Sequence, residues 1–126
     1  MVYWVFSENV PGGTITSVAK GRLSDNETTI ENTTVIYKAN PAANSNAHYG
    51  GRILFDATGN LLVSTGERAN TSTRPLAQSV TTALGKIIRI TTTGTPQQAV
   101  PVFLCSVALP ELNSMGYRNP QGLALH

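Results

Sequence analysis

The sequence has a single cysteine, Cys105, in 126 residues. No internal disulfide can form, so any fold rests on packing and hydrogen bonds. Cys105 sits in the apolar run Val102–Cys105 and reads as a buried structural thiol, not a nucleophile. Charged residues make up 13% of the chain, roughly half the share usual in globular proteins. The net charge is only +2, without a basic tract, which excludes nucleic acid as a partner bound by charge. Lys and Glu are scarce, so little of the chain favours helix. No apolar run approaches the ~20 residues of a membrane-spanning helix, so no membrane span is expected. The first residues, MVYWVFSENV, have neither a basic start nor a cleavage-like tail, so no signal peptide is expected in this chain.

What is present favours strands and turns. Thr, Asn, Gly and Val are abundant, and short apolar runs alternate with turn formers. Val2–Phe6 reads as a strand, Pro11-Gly12-Gly13 as a turn, Thr14–Leu23 and Thr33–Lys38 as further strands. Asn40–Ala47 is a polar loop of small residues. Ala77–Leu84 is read as a helical turn, Gly85–Thr91 as a strand and Thr92–Pro101 as a polar connection. Glu111–Met115 is a short strand, Tyr117–Gln121 a loop and Gly122–Leu125 the start of another strand. Many short strands with Gly/Pro turns indicate an all-β sandwich, barrel or propeller with antiparallel sheets. GGRILFD at Gly50–Asp56 is echoed by PQGLALH at Pro120–His126, a weak internal repeat.

The stretch Asn46–Arg68 organises the chain. Arg52–Phe55 and Leu61–Val63 flank Asp56-Ala57-Thr58-Gly59-Asn60, which predicts a β-hairpin. Leu61–Val63 is expected to pair next with Ile87–Ile90. His48 precedes the first hairpin strand and Glu67 follows the second, so both fall at one end of the sheet. An imidazole beside a carboxylate at a strand end is a candidate acid–base site. By spacing alone the plainer reading stands beside it: a loop histidine and a solvated carboxylate. Arg22, Arg52 and Arg89 read as strand-face cations that pair with carboxylates or lie along the sheet. Three Asn-x-Ser/Thr triplets, starting at Asn26, Asn32 and Asn70, arise easily in so Thr- and Asn-rich a chain and carry little weight.

HYGGRILFDATGNLLVSTGER, AQSVTTALGKIIRIT and ELNSMGYRNPQGLAL, in this order, resemble the soluble pyrroloquinoline-quinone (PQQ) dependent sugar dehydrogenases, the glucose and aldose sugar dehydrogenase family. The resemblance implies a partial β-propeller, roughly two of the family's six blades. Residues 1–47 would end one blade and connect onward, 48–116 form one blade, and 117–126 begin the next. The chain thus looks like a fragment, and its isolated form is expected to be inactive.

By the resemblance the parent oxidises aldoses at C1 with hydride transfer to PQQ, and His48 is the general base. Arg118 and Asn119 contact the quinone and its reactive carbonyl, with Arg118 also catalytic. His48 and Glu67 lie beside the sugar. Calcium belongs to the full-length family, with ligands outside this chain, so no metal ligand is assigned here. The implied partners are an aldose and an external electron acceptor, and the implied location is periplasmic or secreted. Ala47 and Tyr117 depart from the family's usual Asp/Asn and His, which bears on substrate range more than on chemistry. The alternative is a non-catalytic propeller module that binds carbohydrate or protein. Unpaired sheet edges in so short an arc imply self-association.

Overall fold

The computed structural model describes residues 1–98 and 107–126. Its strands form two antiparallel sheets. The first contains β1 (Val2–Val10), β2 (Gly13–Leu23) and β3 (Ile30–Lys38), in that order. The second contains β4 (Gly50–Phe55), β5 (Leu61–Thr65), β6 (Lys86–Ile90) and β7 (Leu112–Met115), also in chain order. Among the described residues no helix is long and apolar enough to cross a membrane.

Local chemistry sets the turns. At the β1–β2 hairpin Gly12 has φ 91° and Gly13 φ 133°, values that side chains resist. In the β4–β5 turn the Asp56 carboxylate accepts the backbone N–H groups of Thr58 at 2.8 Å and Asn60 at 3.0 Å. Register then follows: Ile53 faces Val63, Phe55 faces Leu61, and Leu61 faces Ile90. The expected hairpin and its antiparallel pairing with Ile87–Ile90 are therefore as read from the sequence.

The core lies where the sheets meet. Val18 of β2 and Leu61, Val63, Ile88 and Ile90 of β5 and β6 are fully buried, with Tyr3, Val5, Ile36, Tyr37 and Ile53 packed against them. Each such aliphatic contributes on the order of 1.5–3 kcal/mol by leaving water. The Tyr3 and Phe55 rings meet edge to face at 5.5 Å, and the Tyr37 hydroxyl donates to buried Glu111 at 2.9 Å.

Two expectations need correction and one lies outside the described residues. Gly122–Leu125 forms no strand: its apolar residues meet no partner strand among the described residues, and a lone strand leaves its backbone unpaired. The helical turn lies earlier than Ala77–Leu84. It is a 3-10 helix at Arg74–Gln78, started by Pro75, whose fixed φ suits a first turn. Cys105 and the run Val102–Cys105 lie outside the described residues.

Of the three strand-face arginines, Arg22 pairs with Asp25 and Glu31, and Arg89 with Asp56 at 2.7 Å. Arg52 donates instead to the Gln121 carbonyl at 2.9 Å. Burial disfavours the Asp56 carboxylate, but hydrogen bonds from Thr58, Arg89 and the backbone outweigh it and hold the carboxyl well below its usual range. The folded value is depressed, so this contribution is full above the unfolded value of about 3.9 and fades as pH falls through the folded one. Asp56→Asn should thus lower the melting temperature by a constant amount above about pH 5, with the difference shrinking below about pH 4. Melting curves across that range test it; a difference that stays constant down to strongly acid pH would refute the assignment.

Candidate functional site

The site forms where three segments meet at one end of the second sheet. The loop before β4 brings His48, the exit of β5 brings Glu67, and the loop after β7 brings Arg118 and Asn119. The last loop is stapled across the strand ends. The Tyr117 N–H donates to the Gly85 carbonyl at 3.0 Å, and the Glu67 N–H to the Arg118 carbonyl at 2.9 Å. Ser64 Oγ donates to the Pro120 carbonyl at 2.8 Å. His48 and Arg118 therefore share one end of the sheet with Glu67, and the expected juxtaposition of His48 and Glu67 is met.

His48 Nδ1 is hydrogen-bonded to Glu67 Oε1. A carboxylate only accepts, so Nδ1 carries a proton, and in the neutral ring the lone pair is on Nε2. Glu67 is 1% exposed, against 24% for the His48 side chain. The plainer reading of a solvated carboxylate therefore fails. The Ala69 N–H also donates to Oε1, at 3.0 Å, while Oε2 has no hydrogen-bond partner among the described residues. Two guanidinium groups stand further out: Arg118 Nε lies 3.9 Å from Oε1, and Arg74 Nε 3.8 Å from Oε2. Both arginine side chains are more than half exposed. One buried carboxylate thus faces an imidazole and two cations.

Backbone geometry keeps this close. A Cβ at Gly66 would come 1.9 Å from the His48 carbonyl oxygen, so only glycine lets the two segments approach. His48, Arg68 and Ala69 have φ of 52°, 71° and 53°, in the left-handed region that such residues avoid. Asn119 turns its Oδ1 inward to accept the Gly50 N–H at 3.0 Å, which ties the loop to β4 and leaves its amide NH₂ as a donor. An open cleft of about 370 Å³ lies alongside, lined by Gly50, Gly51, Arg52 and Gln121.

The sequence reading brought together His48, Glu67, Arg118 and Asn119 but missed Arg68, Arg74 and Lys86. Arg68 and Lys86 are fully buried. No local pattern marks them, since buried Arg and Lys are uncommon and read as surface residues. Among the described residues no group of three or more His, Cys, Asp or Glu converges to hold a metal ion.

The sequence model of one family, Glucose / Sorbosone dehydrogenase, matches residues 1–126. The aldose sugar dehydrogenase YliI of Escherichia coli (strain K12) is 35% identical over 111 residues, covering 88% of this chain and 29% of that protein. A crystal structure of a glucose dehydrogenase superposes with a TM-score of 0.89 at 38% identity, covering 98% of this chain and 35% of that one. The PQQ-bound aldose sugar dehydrogenase of Streptomyces coelicolor shares the fold, with a TM-score of 0.65 at 23% identity over 93% of this chain and 32% of its own. The chain therefore spans about a third of the length of these relatives. Their β-propeller is the architecture to which the two antiparallel sheets correspond in part. With the family's pattern running through every residue and its strands reproduced in space, the chain belongs to the glucose/sorbosone dehydrogenase family.

Proposed function

We propose that this chain is the base-bearing part of a quinoprotein sugar dehydrogenase that oxidises aldoses at C1, with His48 as general base. The observation that carries the reading is the His48–Glu67 pair, which commits Nδ1 to the buried carboxylate and leaves Nε2, the lone-pair nitrogen of the neutral ring, for the sugar hydroxyl. Nε2 takes the proton of the sugar's C1 hydroxyl, and the carbonyl then forms as the C1 hydride departs. PQQ, when bound, supplies the hydride acceptor that no side chain provides. Glu67 serves the sugar through His48: it fixes the tautomer and stabilises the imidazolium that forms.

The residues present fit such a cofactor in part. The Arg118 and Arg74 guanidinium groups make no hydrogen bond among the described residues, and both are exposed at the rim. They are suited to the carboxylates and carbonyl oxygens of a quinone. Arg118 and the free amide donor of Asn119 would hold its reactive edge. Calcium is given no step, since no ligand cluster converges among the described residues. Residues 48–116 act as one blade, 1–47 as the end of the preceding one, and 117–126 as the start of the next.

The test is sugar-dependent reduction of an artificial electron-accepting dye. It uses a polypeptide in which this chain replaces the matching segment of the E. coli aldose sugar dehydrogenase, loaded with PQQ and calcium. Turnover of aldoses is expected there and none from the 126-residue chain alone, which lacks most of the ring. Sugar binding without dye reduction in the complete polypeptide would favour the binding module instead.

A further inference from the structure

We propose that Arg68 is a positioning residue for His48, holding the base in place through the main chain before it and the Tyr49 ring after it. This rests on the reading of His48 as the base. Arg68 has 0% exposure, and no carboxylate lies within ion-pair reach among the described residues. A buried cation without a counter-ion is unfavourable unless its donors are all used. Here each of the three nitrogens donates, two of them to the loop that carries His48. Nε donates to the Ala47 carbonyl at 3.1 Å, and one terminal nitrogen donates to the Ser45 carbonyl. The remaining bonds go to Thr14 of β2: its carbonyl at 2.7 Å and its hydroxyl at 2.6 Å. The guanidinium plane covers the Tyr49 ring at 3.8 Å from its centroid, and the Arg68 backbone N–H donates to the His48 carbonyl at 3.3 Å.

Residues 47, 48 and 49 are thus each gripped by one residue, and β2 is the anchor. The grip answers a physical need. His48 sits at φ 52°, an unfavourable backbone conformation that persists only where its surroundings over-determine it. Glu67 fixes the ring, and its sequence neighbour Arg68 fixes the backbone from which that ring projects. The planar fork explains the residue type: Lys reaches one or two of these oxygens but not all in one geometry, and it does not stack as well on Tyr49.

The experiment compares Arg68→Met and Arg68→Lys in the same PQQ-loaded polypeptide, with Arg22→Met as a control. Two readouts are taken. The first is the downfield Nδ1–H proton resonance of His48 in the cofactor-free protein, which reports its bond to Glu67. The second is the split between kcat and KM. Loss of the resonance in both variants is expected, with kcat reduced about a hundredfold and KM changed less than about threefold. Arg22→Met should alter neither. Should Arg68→Met not fold, Arg68→Lys decides. A resonance retained in Arg68→Lys overturns the positioning role, whatever happens to the rate. A resonance lost with kcat intact upholds the positioning and instead overturns His48 as the base.

Discussion

Replacing His48 by Ala should lower kcat on aldoses by about a thousandfold or more while PQQ affinity stays nearly unchanged. A positioned general base typically contributes 10²–10⁴-fold, and among the described residues no second free base stands at this rim: Glu67 is buried and bonded, and Arg74 and Arg118 are cations. On the proposed function the imidazole serves the sugar hydroxyl, whereas the quinone falls to Arg118 and Asn119. Arg118→Ala should therefore weaken both cofactor binding and turnover. The measurement is steady-state dye reduction with a separate titration of PQQ into cofactor-free protein. A His48→Ala protein with a normal rate would remove the base and leave the binding-module reading ahead. Equal losses in rate and quinone affinity would mean that the histidine holds the cofactor instead.

The second large effect concerns Lys86. Its ammonium is fully buried and donates to the carbonyls of Leu76 at 2.9 Å, Ala77 at 2.9 Å and Leu84 at 2.6 Å. It thereby pins the segment carrying the Arg74–Gln78 turn onto β6. Lys86→Met leaves three carbonyls without this donor and should destabilise the fold by about 2–4 kcal/mol, partly offset by relief of the buried charge. Burial pushes the Lys86 ammonium down to about 8. The unfolded chain, with its lysines near about 10.4, then binds more protons between those two values, so stability from this group rises with pH across that window. Urea titrations from pH 7 to 10 should show that rise in the native protein and its absence in Lys86→Met. A variant as stable as the native protein would show that other donors replace the ammonium.

The hairpin was legible because Asp56-Ala57-Thr58-Gly59-Asn60 states its turn in local chemistry and the flanking runs are β-branched and short. His48 and Glu67 were legible as a pair because antiparallel geometry alone brings the start of β4 to the end of β5. What was not legible depends on long-range contact. Gly122–Leu125 has the composition of a strand, but pairing is decided by a neighbour and not by composition. Arg68 looks like a surface cation until carbonyls from distant segments close around it, and Lys86 until the nearby Arg74–Gln78 turn folds back over it. The burial of Glu67 is of the same kind: it follows from Gly66 meeting the His48 carbonyl and from the Arg118 loop closing over the strand ends.

The contacts that hold the loop before β4 have a consequence for how such a protein diversifies. Arg68 and Gly66 engage that loop through the carbonyls of Ser45, Ala47 and His48, atoms that every residue type possesses. The side chains of Asn44, Asn46 and Ala47 are exposed and take no part in that grip. Their identities are therefore free to drift while the backbone that places His48 stays fixed. Under the proposed function, a lineage can vary the surface beside the base at these positions without disturbing the base itself.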